Sequence, residues 1–145
     1  METGQLVVGK GVVEWVAAQT SEFGNFGTEV GIGWLRGGQI VAGVAYANWN
    51  GPNVECHIAS DGSRKWLTRQ YLFVIFDYPY NQLGVDRITV CVGEGNAESN
   101  RFVKHLGFVL ESSLAGAHPT GKLHIYRLWR HECRFLQVRH EKLAA

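Results

Sequence analysis

Runs of apolar residues in the first half of the chain predict a helix followed by a three-stranded meander. Residues 12–18 carry valine, tryptophan and alanine at positions compatible with a short helix. From residue 30 the pattern changes to two β-compatible runs, 30–35 and 39–46, on either side of a Gly-Gly turn, an arrangement typical of a hairpin. A second turn at 50–53 leads into a third strand at 54–60.

The second half predicts a longer helix, a strand, a short helix and two more strands. Residues 61–63 offer N-caps for the longer helix, whose end Pro79 kinks and Gly84 closes. A β-rich run at 87–92 precedes a short helix over 96–106. The last two strands are predicted at 108–110 and 123–128, with a polar, glycine-rich loop between them. This order of elements indicates an α/β (α+β) protein, a sheet with helices covering its faces.

Length and charge narrow the class of protein. The chain has 145 residues, 46% of them hydrophobic and 19% charged, which suits one domain over 1–145, with a helix and loop at 1–28 and a tail at 137–145. Its net charge is +1, so we expect neither nucleic acid nor a membrane surface as a partner. Three scattered cysteines and the absence of an apolar leader predict a reduced, cytoplasmic protein.

Several motifs resemble chemical sites without their full requirements. Residues 4–10 and 116–122 both have the GxxxxGK spacing of a phosphate loop, but each lacks the following Ser or Thr, and neither is predicted between a strand and a helix. His131, Cys133 and His140 have no paired-ligand spacing, so no metal site is expected. The basic residues between 127 and 142 are read as a solvated face rather than a nucleic-acid footprint.

Two ionisable residues share one face of the third predicted strand. Glu55 and His57 point one way, whereas the residues alternating with them point the other. A strand covered on both faces carries such a pair only where that face opens to a cleft. The pair suits proton transfer, with one residue as base and the other as orienting partner or second base. The alternative is an edge strand with a solvated face.

Basic residues at the start of the longer helix indicate an anion site. Arg64 and Lys65 follow the proposed caps, and cations at a helix N-terminus oppose the helix dipole unless an anion sits there. A phosphate or pyrophosphate resolves the conflict. The alternative is two exposed basic side chains that serve solubility.

The segment 96–108 carries a family resemblance. Its pattern of Asn96, Ala97, Ser99 and Arg101, followed by Leu-Gly-Phe at 106–108, resembles the cofactor-binding strand–helix segment of the GNAT (N-acetyltransferase) superfamily. In order, the resemblance extends from about residue 29 to 136. The ending at 126–134 is similar to a small branch found in phages and prophages.

The resemblance implies a fold and a cofactor. The fold is a mixed, mostly antiparallel twisted sheet with a splayed central pair of parallel strands, and helices on both faces. Acetyl-CoA binds in the gap between the strands at 54–60 and 87–92, with its pyrophosphate at the helix after Arg64. The implied cofactor-binding residues are Ile58, Ser60, Ser63, Arg64, Lys65, Trp66, Leu67, Thr68, Asn96, Ser99 and Phe102.

The resemblance also implies direct acetyl transfer to an amine, with Glu55, His57 and Ser99 as catalytic residues. Two small residues of the family's pyrophosphate loop are replaced by Lys65 and Leu67, and its frequent tyrosine acid aligns with Val103. Ser99 or water then protonates the leaving thiolate. These departures favour the alternative of an inactive protein-binding module. The acceptor, a small molecule or a protein amine, is left open, as is a homodimer formed through the last strand.

Overall fold

The computed structural model describes residues 4–20, 28, 30–64 and 66–136. Its strands and helices follow in the order β1 (Gln5–Val8), α1 (Lys10–Thr20), β2 (Gly31–Arg36), β3 (Gln39–Ala47), β4 (Asn53–Ser60), α2 (Arg69–Asp77), β5 (Arg87–Gly93), α3 (Ala97–His105), β6 (Val109–His118) and β7 (Gly121–Trp129). A π-helical segment, Tyr78–Leu83, continues α2, and a short 3-10 helix, Arg130–Glu132, follows β7. None of the described helices is long and apolar enough to cross a membrane.

A seven-stranded sheet runs through the described part of the chain in the order β1-β2-β3-β4-β5-β7-β6. Neighbouring strands are antiparallel except β4 and β5, which are parallel. These two pair only where Asn53, Val54 and Glu55 face Arg87, Ile88 and Thr89. Beyond Glu55 and Thr89 the strands separate, so the predicted mixed sheet with a splayed parallel pair is confirmed.

Helices cover both faces of the sheet, as predicted. On one face α2 and α3 contribute Tyr71, Ile75 and Val103 to a core that also contains Val54 and Ile88. On the other face α1 packs over the first four strands. Its residues Val12, Val13 and Val16 cluster with Ala45 of β3. The core under α2 and α3 therefore spans both halves of the sheet, whereas α1 covers only β1–β4.

Two predictions about strands are wrong. The short strand β1 was not expected, because its four residues fall between glycines and show no alternation of burial. The glycine-rich loop predicted between the last two strands is instead a continuous hairpin, in which β6 extends to His118 and only Pro119 and Thr120 form the turn. Almost every residue of β6 is exposed, so the strand lacks the apolar pattern that would have revealed it.

The start of the longer helix also differs from the prediction. Its N-cap is Thr68, whose hydroxyl accepts a hydrogen bond from the Tyr71 backbone N–H over 3.2 Å. Arg64 therefore lies in the preceding loop, and Lys65 lies outside the described residues. For Arg64 the proposed conflict with the helix dipole therefore does not exist. The cation in the first turn of α2 is Arg69. At the other end, Gly84 closes the helix in the left-handed conformation, as predicted.

The first phosphate-loop half-match contains a strand and the start of a helix rather than a loop between the two. Residues 5–8 form β1 and α1 begins at Lys10. The four residues between the two glycines are thus paired with β2 and form no loop that could surround a phosphate. The second half-match spans the β6–β7 turn.

Candidate functional site

A cavity of about 580 Å³ opens beside the end of β4, where this strand has separated from β5. Its walls are the end of β4, the loop that follows, one side of α3 from its N-cap to its last residue, and the end of α1. Nine of the predicted cofactor-binding residues line it: Ile58, Ser60, Ser63, Arg64, Trp66, Leu67, Asn96, Ser99 and Phe102. Thr68 lies outside the lining and instead caps α2. Sequence reasoning missed Gln19, Thr20, Ala59, Asp61, Gly62, Glu98, Arg101 and His105.

The loop after β4 is shaped by its own polar side chains. Asp61 Oδ1 accepts hydrogen bonds from the Ser63 backbone N–H over 2.9 Å and from Ser63 Oγ over 2.6 Å. Ser60 Oγ accepts from the Gly62 backbone N–H over 3.2 Å. Side-chain oxygens therefore satisfy two backbone donors at the cavity rim.

Trp66 ties this loop to α3. The indole is only 2% exposed, and its Nε1 donates to the Ser63 carbonyl over 3.0 Å. Its ring meets Phe102 edge-on, with centroids 4.9 Å apart, and Tyr71 at 6.1 Å. Leu67 packs against the same core. Trp66 and Leu67 thus anchor this wall of the cavity.

The start of α3 is anchored to the end of β5. Asn96 is the N-cap, and its Oδ1 accepts from the Ser99 backbone N–H over 3.1 Å. Asn100 donates through Nδ2 to the carbonyl oxygens of Gly93 and Asn96. The Asn96 cap was predicted, and it holds Ser99 in the cavity wall. Val103, which aligns with the family's tyrosine, is 3% exposed and belongs to the core.

Glu55 and His57 lie on the opposite face of the sheet from α3. Alternation along β4 puts them on the side of Ala59, which packs against the α1 cluster, and His57 faces Ala45 across the strand pair. Because β4 is the fourth of seven strands, the edge-strand alternative is wrong. Neither residue lines the cavity. The predicted base and the predicted acid, Ser99, therefore flank the gap from opposite sides.

Polar side chains join the strands where the gap begins. Thr89 Oγ1 donates to Asn53 Oδ1 over 2.7 Å. Arg87 forms a two-pronged ion pair with Glu111, with N–O distances of 3.1 and 2.7 Å. The hydrogen bond from the Arg87 guanidinium holds the pKa of the Glu111 carboxyl below the ordinary value of 4.5. Neither contact was predicted, because each depends on pairing between distant strands.

The thiols show no sign of activation. Burial raises the pKa of the Cys56 thiol and that of Cys133, which therefore remain protonated. Both side chains belong to the core, and all three cysteines are free.

No protein-family model and no curated protein matches the chain. Solved structures do; among them are N-acetyltransferases of the GNAT fold, so the chain has the GNAT fold. Mutant forms of the spermidine/spermine N-acetyltransferase SpeG from Vibrio cholerae superpose with a TM-score of 0.70 at 13% identity, covering 94% of this chain and 99% of that one. Ard1 from Thermoplasma volcanium gives 0.69 at 16% identity, covering 87% and 97%. A ribosomal-protein-S5-alanine acetyltransferase from Vibrio fischeri gives 0.60 at 16% identity, covering 72% and 63%.

Proposed function

We propose that this protein is an acetyl-CoA-dependent N-acetyltransferase that transfers the acetyl group directly to a primary amine. The observation that carries the proposal is the gap itself. Strand pairing between β4 and β5 stops at Glu55 and Thr89, and a cavity opens at that side of β4. Beyond these two residues no strand pairing joins β4 to β5, and the space between the strands suits a pantetheine chain, whose amide groups can bond backbone groups along a strand.

The residues around the cavity fit the cofactor. Arg64 and Arg101 lie in the lining and supply positive charge for phosphate groups. Asn96 and Ser99 also line the cavity, and the resemblance assigns them to the pantetheine and its sulfur. Bound acetyl-CoA supplies an acetyl thioester in the gap.

In the proposed mechanism the protein moves two protons and aligns the reactants. The Glu55 carboxylate, on the α1 side, accepts a proton from the acceptor amine, with His57 as its neighbour on the same face. The amine nitrogen forms a bond to the acetyl carbon as the carbon–sulfur bond breaks. The leaving thiolate receives a proton from water, or from Ser99 Oγ, which then regains a proton from solvent, and backbone N–H groups that face the gap stabilise the negative charge on oxygen. Alignment of the amine and thioester provides much of the acceleration.

The structurally similar proteins indicate which classes of acceptor amine to test first. One structurally similar protein acts on spermidine and spermine, and another on an alanine of a ribosomal protein. We therefore propose a small-molecule or protein amine that approaches Glu55 from the α1 face. We also propose that the enzyme works in a reducing cytoplasm, in line with its free thiols.

Binding and turnover test the proposal separately. Excess CoA at about 100 times its dissociation constant should stabilise the fold by roughly 2.7 kcal/mol and raise the melting temperature by several degrees. Release of free CoA is then followed with acetyl-CoA plus spermidine, and with a peptide that begins with alanine.

Glu55→Gln should lower kcat and leave the CoA dissociation constant unchanged. The matched control is Glu14→Gln, which alters an exposed carboxylate on α1. Equal kcat in Glu55→Gln and wild type would remove Glu55 as the base.

One observation favours a second candidate, a GNAT-fold binding module without acetyl-CoA. The Asp61 carboxylate already bonds the Ser63 backbone N–H at the cavity rim, and a carboxylate there competes with a pyrophosphate. A melting temperature unchanged by CoA or acetyl-CoA, in a folded protein, would favour this candidate.

A further inference from the structure

Asn48 adopts an unusual backbone conformation immediately after β3. Its φ is +55°, and no other non-glycine residue in the described part of the chain has a positive φ. L-residues rarely adopt this left-handed region, although asparagine does so more readily than most. A backbone of this kind persists only where the surrounding structure maintains it, and such positions cluster at functional sites.

The Asn48 side chain contacts the proposed base. Its Nδ2 donates a hydrogen bond to Glu55 Oε2 over 3.0 Å. The strand register explains the contact, because Ala47, the residue before Asn48, faces Glu55 across the β3–β4 pair. The residue with the left-handed backbone, Asn48, is thus also the residue whose side-chain amide contacts the Glu55 carboxylate.

The β3–β4 turn has its own hydrogen bonds, which do not involve the Asn48 side chain. The Asn50 backbone N–H donates to the Asn53 carbonyl over 3.1 Å, and Asn50 Oδ1 accepts from the Asn53 backbone N–H over 3.0 Å. Trp49 Nε1 donates to the Gly51 carbonyl over 3.3 Å. The bonds that close the turn and the bond to Glu55 can therefore be removed separately.

We infer that Asn48 is a positioning residue that holds the Glu55 carboxylate for proton transfer. The amide engages Oε2 and fixes the rotation of the carboxylate, which leaves Oε1 for the proton of the acceptor amine. A carboxylate held in one orientation transfers a proton more efficiently than one that rotates freely, because misplacement of about 1 Å at a reacting group reduces rates by up to about a hundredfold. This inference rests on the proposed function of Glu55.

The first test uses Asn48→Gly, because glycine accepts the left-handed backbone and removes only the amide group. We expect kcat for acetyl transfer to fall on the order of tenfold or more, with the CoA dissociation constant and the melting temperature close to wild type. Asn48→Asp keeps the side-chain shape and replaces the donor with a second carboxylate, so it should not restore kcat. The matched control, Asn50→Ala, breaks the turn bond and should lower the melting temperature while kcat per folded molecule stays at the wild-type value.

A double-mutant cycle separates positioning from a structural role. A residue that acts only through Glu55 has nothing left to position once Glu55 is replaced, so adding Asn48→Gly to Glu55→Gln should lower kcat no further. An equal loss in both backgrounds, or an unchanged kcat in Asn48→Gly alone, would overturn the inference while the proposed function stands. Wild-type protein that binds CoA but acetylates neither spermidine nor the alanine peptide would overturn both.

Discussion

The Thr89 hydroxyl of β5 donates a hydrogen bond to Asn53 Oδ1 of β4, over 2.7 Å, at the closed end of the gap between the two strands. The same hydroxyl accepts from Arg87 Nη2 over 3.2 Å. One side chain therefore links the parallel strand pair to the ion pair between Arg87 and Glu111. The Pro52 carbonyl adds a second link, because it accepts from the backbone N–H groups of Asp86 and Arg87.

Thr89→Val should loosen this junction. Valine has nearly the shape of threonine but no hydroxyl, so Asn53 loses its donor, at about 1–2 kcal/mol of unfolding free energy. Urea denaturation measures the change. Thr89→Ser, which retains the hydroxyl, should lose clearly less stability, and equal losses in the two variants would show that the hydrogen bond does not carry the effect.

Arg64→Ala should weaken CoA binding in a salt-dependent way. Loss of one cation near a phosphate group in water reduces affinity by about 1 kcal/mol, or roughly fivefold, at low salt. The difference from wild type should shrink at 1 M salt, where screening acts within about 3 Å. Calorimetry at both salt concentrations measures it. Lys122→Ala removes an exposed cation outside the cavity lining and should bind CoA as wild type does.

Gly43→Ala should destabilise the protein, because α1 lies directly on β3. A Cβ at Gly43 would lie 2.8 Å from Val16 Cγ2 and 3.0 Å from Val12 Cγ1, and valine side chains have little freedom to move aside. Forcing a methyl group into such packing costs about 1–3 kcal/mol. Chemical denaturation of Gly43→Ala, Val16→Ala and the double variant checks the cause. The two losses should be less than additive, since truncation of Val16 makes room for the new methyl group.

Alkaline pH should unfold the protein as its tyrosines ionise. Burial raises the pKa of Tyr46, Tyr71 and Tyr80 above the ordinary value of 10.0. The folded state therefore holds protons that the unfolded state releases, so this stabilisation is complete below about pH 10 and is lost as the pH rises further. Tyrosinate absorbance and circular dichroism, followed together, should show these side chains ionising with unfolding. Full ionisation of all tyrosines in a folded protein would contradict the prediction.

The sequence predicted local structure well where one residue dominates. Asn96 caps α3, Gly107 ends that helix with a φ of +107°, and Gly84 closes the segment after α2. In each case one residue determines the end of a helix. The Asn96 side chain accepts a hydrogen bond from a backbone N–H, and the two glycines adopt the left-handed conformation that ends a helix. The order of strands from β2 to β5 also followed from apolar runs and turns.

Features that depend on tertiary contacts could not be predicted. The residues before α2 included plausible caps at 61–63, but Asp61 bonds within the loop and Thr68 caps the helix instead. The Asn48 backbone and its contact with Glu55 depend on the register between β3 and β4. At the candidate site, Asp61 was noted only as a possible cap and Arg101 only as part of the resemblance; their places in the cavity lining could not be predicted, because charged residues near a loop or on a helix face are common.

In mechanical terms, the sheet consists of two plates, each a group of paired strands, which a short stretch of parallel pairing joins. One plate is β1–β4, which α1 covers; the other is β5, β7 and β6, and three residue pairs join them. The core under α2 and α3 crosses the joint and backs it on that side. On the other side the apolar cluster under α1 includes strand residues of the first plate alone, so this cluster does not support the joint on the face that carries Glu55. A ligand that binds across the gap thus stabilises the sheet at the joint between β4 and β5, where only three residue pairs connect its two parts.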